Sequence, residues 1–102
     1  MKYLLNNKVY DTEKSKEIIK YSKPVKTPFF NTFVYPKYEH TLYKTKNGAF
    51  FIHIGKYLNS SSTIYDDLDC IELITEEEVK KVLNDLNKIE EYEELFGELE
   101  EG

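Results

Sequence analysis

The sequence predicts a small α+β domain, a mainly antiparallel sheet with helices packed on one face. Three observations predict it. Asn47-Gly48 stands between two runs rich in β-branched and aromatic residues, the signature of a β-hairpin. Thr75-Glu76-Glu77-Glu78 has the form of a helix capping box and precedes an apolar stripe at helical spacing. The chain's 102 residues, 40% hydrophobic and 15% aromatic, hold enough apolar material for one core but not for two.

Along the chain, Tyr3-Leu4-Leu5 and Lys8-Val9-Tyr10 flank Asn6-Asn7. Asparagine tolerates the left-handed backbone of a tight turn, so an N-terminal hairpin is expected. Asp11 or Thr12 then reads as the cap of a short N-terminal helix reaching about Ser22, with Ile18 and Ile19 on one face and Pro24 just beyond its end. Residues 23–38 hold all three prolines, Pro24, Pro28 and Pro36, and read as a loop or irregular edge segment. In the central hairpin, a two-residue turn at Asn47-Gly48 would set Thr45 opposite Phe50, Tyr43 opposite Ile52 and Thr41 opposite Ile54, all on the core face. Leu42, Lys44, Phe51 and His53 would then form a mixed outer face, only partly covered.

Residues 58–69 read as a long polar loop and Cys70-Ile71-Glu72-Leu73-Ile74 as a last strand. The longer C-terminal helix would bury Val79, Val82, Leu83, Leu86 and Ile89, and Tyr92, Phe96 and Leu99 could prolong that stripe. The expected organisation is a single α+β domain over 1–89, followed by an acidic C-terminal helix extension or tail over 90–102.

Charge is split by position. Residues 1–51 carry ten lysines against four acids, a net of +6, and residues 52–102 carry four lysines against fifteen acids, a net of −11. Such asymmetry bears on partners rather than on fold. Met1-Lys2-Tyr3-Leu4-Leu5 begins like a signal peptide but meets Asn6-Asn7-Lys8 long before an apolar segment is complete. One cysteine, Cys70, cannot form an internal disulfide. The expected location is the cytoplasm of a bacterial host.

Candidate chemistry is sparse. His53, Cys70 and the carboxylates of Asp66, Asp67 and Asp69 are the residue types of a Cys-His site, but the sequence does not place them together, and a lone cysteine opening an apolar strand is usually a small core residue. His40 and His53 lack the spacing of a metal site. The four glycines are scattered, so no phosphate-binding loop is present. No enzymatic activity, no cofactor and no metal are therefore expected.

Two binding features remain. Phe29, Phe30, Phe33, Tyr35 and Tyr38 lie among Lys23, Lys26 and Lys37, and aromatics interleaved with bases can clamp single-stranded nucleic acid. The simpler alternative folds Phe29, Phe30 and Phe33 back as a cover for the sheet. The second feature is the run from Glu90 to Glu101. Acids at a helix C-terminus oppose its dipole, and Glu90 with Glu94, and Glu94 with Glu98, would repel at helical contact spacing. Such a ridge is either a fraying, solubilising tail or a surface that a basic partner neutralises. Carboxylates about 5–6 Å apart approach the spacing of phosphates along a nucleic-acid strand.

Tyr10-Asp11-Thr12-Glu13-Lys14-Ser15-Lys16, the stretch Leu42-Tyr43-Lys44-Thr45-Lys46-Asn47-Gly48-Ala49-Phe50-Phe51-Ile52-His53, and Ile71-Glu72-Leu73-Ile74-Thr75-Glu76-Glu77-Glu78-Val79 occur here in order. Together they resemble a family of small accessory proteins common in phages, plasmids and other mobile elements of Firmicutes. The chain departs from that pattern in having only Gly55 after the hairpin and in running on into Glu90–Glu101. The resemblance implies an anti-CRISPR or other anti-defence inhibitor, which binds and blocks a host effector without catalysis.

The leading expectation is accordingly a non-enzymatic inhibitor whose partner is a host protein or ribonucleoprotein effector with a basic groove, with no membrane and no direct nucleic-acid contact. Its partner-binding residues would be Glu90, Glu91, Glu93, Glu94 and Glu98, with Phe29, Phe30, Tyr35 and Tyr38 as a second anchor. The alternative is a nucleic-acid-binding or regulatory module using Lys8, Lys20, Lys23, Lys26, Lys44 and Lys46. A small enzyme built on His53 and Cys70 is the third reading.

Overall fold

The computed structural model describes residues 1–58 and 66–102, without the side chain of Phe29. Its strands are β1 (Lys2–Leu5), β2 (Lys8–Asp11), β3 (Lys16–Pro24), β4 (Thr27–Phe29), β5 (Thr32–Val34), β6 (Lys37–Lys44), β7 (Phe50–Tyr57) and β8 (Cys70–Ile74), followed by α1 (Glu76–Asp85) and α2 (Ile89–Phe96). The central sheet has the order β3-β6-β7-β8, all antiparallel neighbours, while β1-β2 and β4-β5 are separate hairpins. This is the expected α+β class. Residues 59–65 of the expected polar loop lie outside the described residues.

The N-terminal hairpin forms where the sequence placed it. Asn6 and Asn7 both have positive φ, 51° and 62°, as a two-residue turn between twisted strands requires. The central hairpin turns at the expected place but with a different register. Its loop has three residues, Lys46, Asn47 and Gly48. The Thr45 N–H donates to the Ala49 carbonyl at 2.8 Å, the Gly48 N–H donates to the Thr45 carbonyl at 3.0 Å, and Gly48 takes the left-handed φ of 85°. The Ala49 N–H donates to the Thr45 hydroxyl at 3.1 Å, so a side chain satisfies a donor that the extra residue would leave open.

Because strand side chains alternate, a one-residue change of register exchanges the faces. Leu42 opposes Ile52 and Lys44 opposes Phe50, in place of the expected Tyr43–Ile52 and Thr45–Phe50 pairs. Leu42 is therefore fully buried on the helix side with Phe50, Ile52 and Ile54. Tyr43, Phe51 and His53 occupy the other face. That face is covered by β1-β2: the Tyr10 ring meets Phe51 edge-on at 5.4 Å, and Tyr43 stacks on Phe51 at 5.1 Å. Phe51, expected on a partly covered surface, is 0% exposed.

The expected N-terminal helix is instead strand β3. Its register against β6 shifts between Glu17 and Ile19, where Ile18 is the additional residue of a β-bulge. Buried Ile19 belongs to the core and Ile18 packs against it. Two adjacent apolar residues serving one core break the alternation of a strand and imitate a helical face, which is why the sequence pattern misleads here.

On the helix side, Thr75 caps α1 as expected. Its hydroxyl accepts from the Glu78 N–H at 3.2 Å, and the Glu78 carboxylate accepts from the Thr75 N–H at 3.2 Å. The single long helix of the sequence reading is broken in two. Asn87 adopts φ 55°, the Lys88 N–H donates back to the Leu83 carbonyl at 2.9 Å, and the Asn87 N–H donates to Asn84 at 3.1 Å. This bond pair around a left-handed residue ends a helix, with asparagine in the place usually held by glycine. Val79 and Leu83 are buried, whereas Leu86 and Ile89, expected in the stripe, are exposed beside the break. The chain then turns so that Tyr92, Leu95 and Phe96 of α2 pack against the core.

The layers are thus hairpin, sheet and helix pair, with buried rings on both sides of the sheet. Phe51→Ala should cost about 3–5 kcal/mol, as much as a residue of the helix-side core. Chemical denaturation checks this. A loss below about 1 kcal/mol, the scale of an exposed site, would mean that the N-terminal hairpin does not cover that face.

Candidate functional site

The acidic run folds in a way that changes its electrostatics. The break at Asn87 puts Glu90 and Glu91 in the first turn of α2, where the helix dipole favours them, instead of at the C-terminal end of one long helix. Glu94 ion-pairs with Lys16 of β3, and the Glu93 carboxylate accepts from the Leu99 N–H at 3.3 Å. The helix stops at Gly97, which has φ 96°, so Glu94 and Glu98 are not the helical neighbours that the sequence suggested. Part of the acidic run is therefore consumed by the fold. Glu90, Glu91 and Glu98 are in no ion pair among the described residues. From Glu76 to Glu101 the chain carries eleven acids and three lysines, a net of −8, with Glu98, Glu100 and Glu101 beyond the end of α2.

The aromatic candidates separate. Tyr38 lies on β6 in the core and is 2% exposed, so it cannot serve as a surface anchor; its ring packs at 5.5 Å from Tyr57. The fold-back of Phe30 and Phe33 onto the sheet does not occur. These residues belong to the β4-β5 arm, which is paired to no strand of the central sheet. Phe30, Phe33 and Tyr35 are 92%, 59% and 62% exposed. Phe29 lies on β4, and its side chain is outside the described part.

A further cluster joins residues that no local motif could connect. On β7, the His53 ring nitrogen Nε2 lies 2.8 Å from the Asp69 carboxylate, and the Tyr3 hydroxyl of β1 donates to the same oxygen. The Tyr3 and His53 rings are 5.5 Å apart. Gly55 makes room for this arrangement, since a β-carbon there would stand 2.9 Å from the His53 ring carbon Cε1. The cluster lines an open cleft of about 320 Å³. The only signal in the sequence was the presence of these residue types, because Tyr3 and Asp69 are 66 positions apart.

This cluster does not become the Cys-His site weighed from the sequence. Ile71 is the cross-strand partner of His53, so Cys70, one residue away and opposite Ile54, projects from the other face. Burial, then Glu72 and Asp69, push the Cys70 thiol above its usual range, which reduces the thiolate fraction a nucleophile needs. His40 is buried, its Nδ1 lies 2.9 Å from the Tyr38 carbonyl, and burial lowers its pKa. Among the described residues no three His, Cys, Asp or Glu side chains converge as metal ligands would.

The lysines named for the nucleic-acid-binding alternative are spread over different elements, although Lys46 lines one cleft with Lys2 and Lys14. Lys20 lies near Glu17 and Glu39, Lys44 lies over the Phe50 ring on the helix side, and Lys26 lies over Phe33 of the arm. Lys8 and Lys46 sit at the two separate turns. Among the described residues no helix is long and apolar enough to cross a membrane. No protein-family model, curated protein or solved structure matches the chain.

The Tyr3–Asp69–His53 cluster makes a pH prediction. The Tyr3 hydroxyl, and then the His53 ring, hold the Asp69 carboxyl below its usual range. The stability this adds is present above the ordinary carboxylate pKa and is lost as pH falls through the folded value. Burial, then Asp69, push the Tyr3 phenol up to about 12 from 10.0, so its contribution is present below 10.0 and is lost as pH rises towards about 12. Asp69→Asn should therefore destabilise at neutral pH, with the difference from the native chain shrinking on acidification. Urea denaturation across pH reads this directly, and a difference independent of pH would contradict it.

Proposed function

We propose that the chain is a non-catalytic inhibitor of the anti-CRISPR type, carried by a phage or mobile element. It binds and blocks a host defence complex by presenting an acidic, nucleic-acid-mimicking surface to that complex's basic groove. The observation that carries this reading is the net of −8 over residues 76–101, the two helices and the segment after them, with Glu90, Glu91 and Glu98 left out of internal ion pairs among the described residues. A compact helix pair holds charges in place, which a frayed tail would not, and fixed like charges are relieved when a cationic groove covers them. His53 and Cys70 face opposite sides of the sheet, so the inhibitor reading does not compete with a Cys-His site at that position. The resemblance in sequence to small mobile-element proteins supports the biological setting.

The test is charge reversal at Glu90, Glu91 and Glu98, which spares Glu94 and its bond to Lys16. Each first-turn reversal should cost the helix no more than about 1 kcal/mol, so circular dichroism should report an intact fold. The wild-type chain, immobilised in host lysate, should retain a nucleic-acid-handling complex that heparin displaces, and the triple variant should lose it. Equal retention by the variant would overturn the acidic-surface reading.

A further inference from the structure

We infer that the β4-β5 arm is a grip for single-stranded nucleic acid, with Phe30, Phe33 and Tyr35 stacking on bases and Lys26 and Lys37 meeting the backbone. This goes beyond the proposed inhibitor reading and does not depend on it, since it has the chain itself touch a nucleic acid, through a surface other than the acidic layer.

Residues 23–38 carried two readings in the sequence, cover for the sheet or platform for a strand. Coverage would require the rings to lie on the central sheet. Instead, among the described residues, the arm's strands β4 and β5 pair only with each other, and Phe30, Phe33 and Tyr35 belong neither to the core nor to the hydrophobic residues packed against it. Three large rings, each more than half exposed, are gathered on one short projection.

The tip sharpens the point. Phe30 has φ 55°, a backbone conformation disfavoured for a bulky side chain and natural for glycine or asparagine. The ring held at this position is 92% exposed.

Charge selects the partner. Residues 24–38 contain two lysines, Lys26 and Lys37, and no acid, within a chain whose net charge is −5, while Lys23 lies on β3 in a cleft with Glu72, Glu78 and Asp85. The Lys26 ammonium lies 4.2 Å from the centre of the Phe33 ring, so a cation sits beside a stacking surface. Tyr35 precedes Pro36, which favours an extended backbone at that residue. Phe33 and Tyr35 then stand two residues apart on extended chain, about 6.6 Å. That is close to the room one base needs between two rings, given a stacking repeat of about 3.4 Å. An apolar pocket on a protein would be served by the rings but has no use for the lysines. A duplex would be served by the lysines but not by the rings.

The probes are fluorescein-labelled oligothymidine and oligouridine, with a DNA duplex of the same length, followed by anisotropy at low salt. The single strands should bind more tightly than the duplex. Log affinity should fall with log salt at a slope of about −1.4, from two phosphates at about −0.7 each. Each of Phe30→Ala, Phe33→Ala and Tyr35→Ala should weaken binding about fivefold or more. Phe30→Gly relieves the backbone at the tip and should be at least as stable as the native chain, yet lose affinity as Phe30→Ala does. No binding of any probe at low salt would overturn the inference. So would tighter binding of the duplex, or aromatic variants that bind single strands as well as the native chain does.

Discussion

Between Thr45 and Ala49 a backbone hydrogen bond, a second bond to the Thr45 hydroxyl and the left-handed Gly48 close a loop of three residues rather than two. A strand's side chains alternate, so that one residue decides which half of β6 faces the helices. It places Leu42 with Ile52 and Ile19 beneath α1, and turns Phe51 and Tyr43 towards the N-terminal hairpin. With the other register, Leu42 would face the hairpin and Tyr43 would enter the helix-side core. The three-layer arrangement, and with it the position of every exposed surface, follows from this turn.

Features set by neighbouring residues were legible. The Asn6-Asn7 turn, the site of the central turn, the strand Cys70–Ile74 and the Thr75 capping box depend on a few consecutive side chains and appear where the sequence puts them. Features in which a local exception serves a distant contact were not. Ile18 and Ile19 look helical because a bulge lets both reach the core, and Asn87 hides a helix end in a residue less diagnostic than glycine. Nothing near Phe51 in sequence announces that Tyr10, some forty residues earlier by the numbering, will cover it.

The candidate surface was legible in the same partial way. The acidic run was visible as composition, but its division was not: Glu94 is held by Lys16, Glu90 and Glu91 are favoured by a new helix start, and Glu98 lies beyond the helix. In the aromatic segment, Tyr38 and Phe30 looked alike in sequence, yet one fills the core and the other caps a projecting turn. Once the layers are packed, two exposed surfaces stand out, an acidic helical layer and a basic aromatic arm. They have opposite electrostatic character. The proposed inhibitor function uses the first to imitate a nucleic acid, and the inferred strand grip uses the second to hold one.

The register of β6 against β7 is the claim on which all of this turns, and cross-strand nuclear Overhauser contacts measure it most directly. The account predicts backbone proximity of Leu42 to Ile52 and of Lys44 to Phe50, with Phe51 ring protons contacting Tyr10 and Tyr43. Proximity of Tyr43 to Ile52 and of Thr45 to Phe50, with the Phe51 ring free of Tyr10, would contradict it.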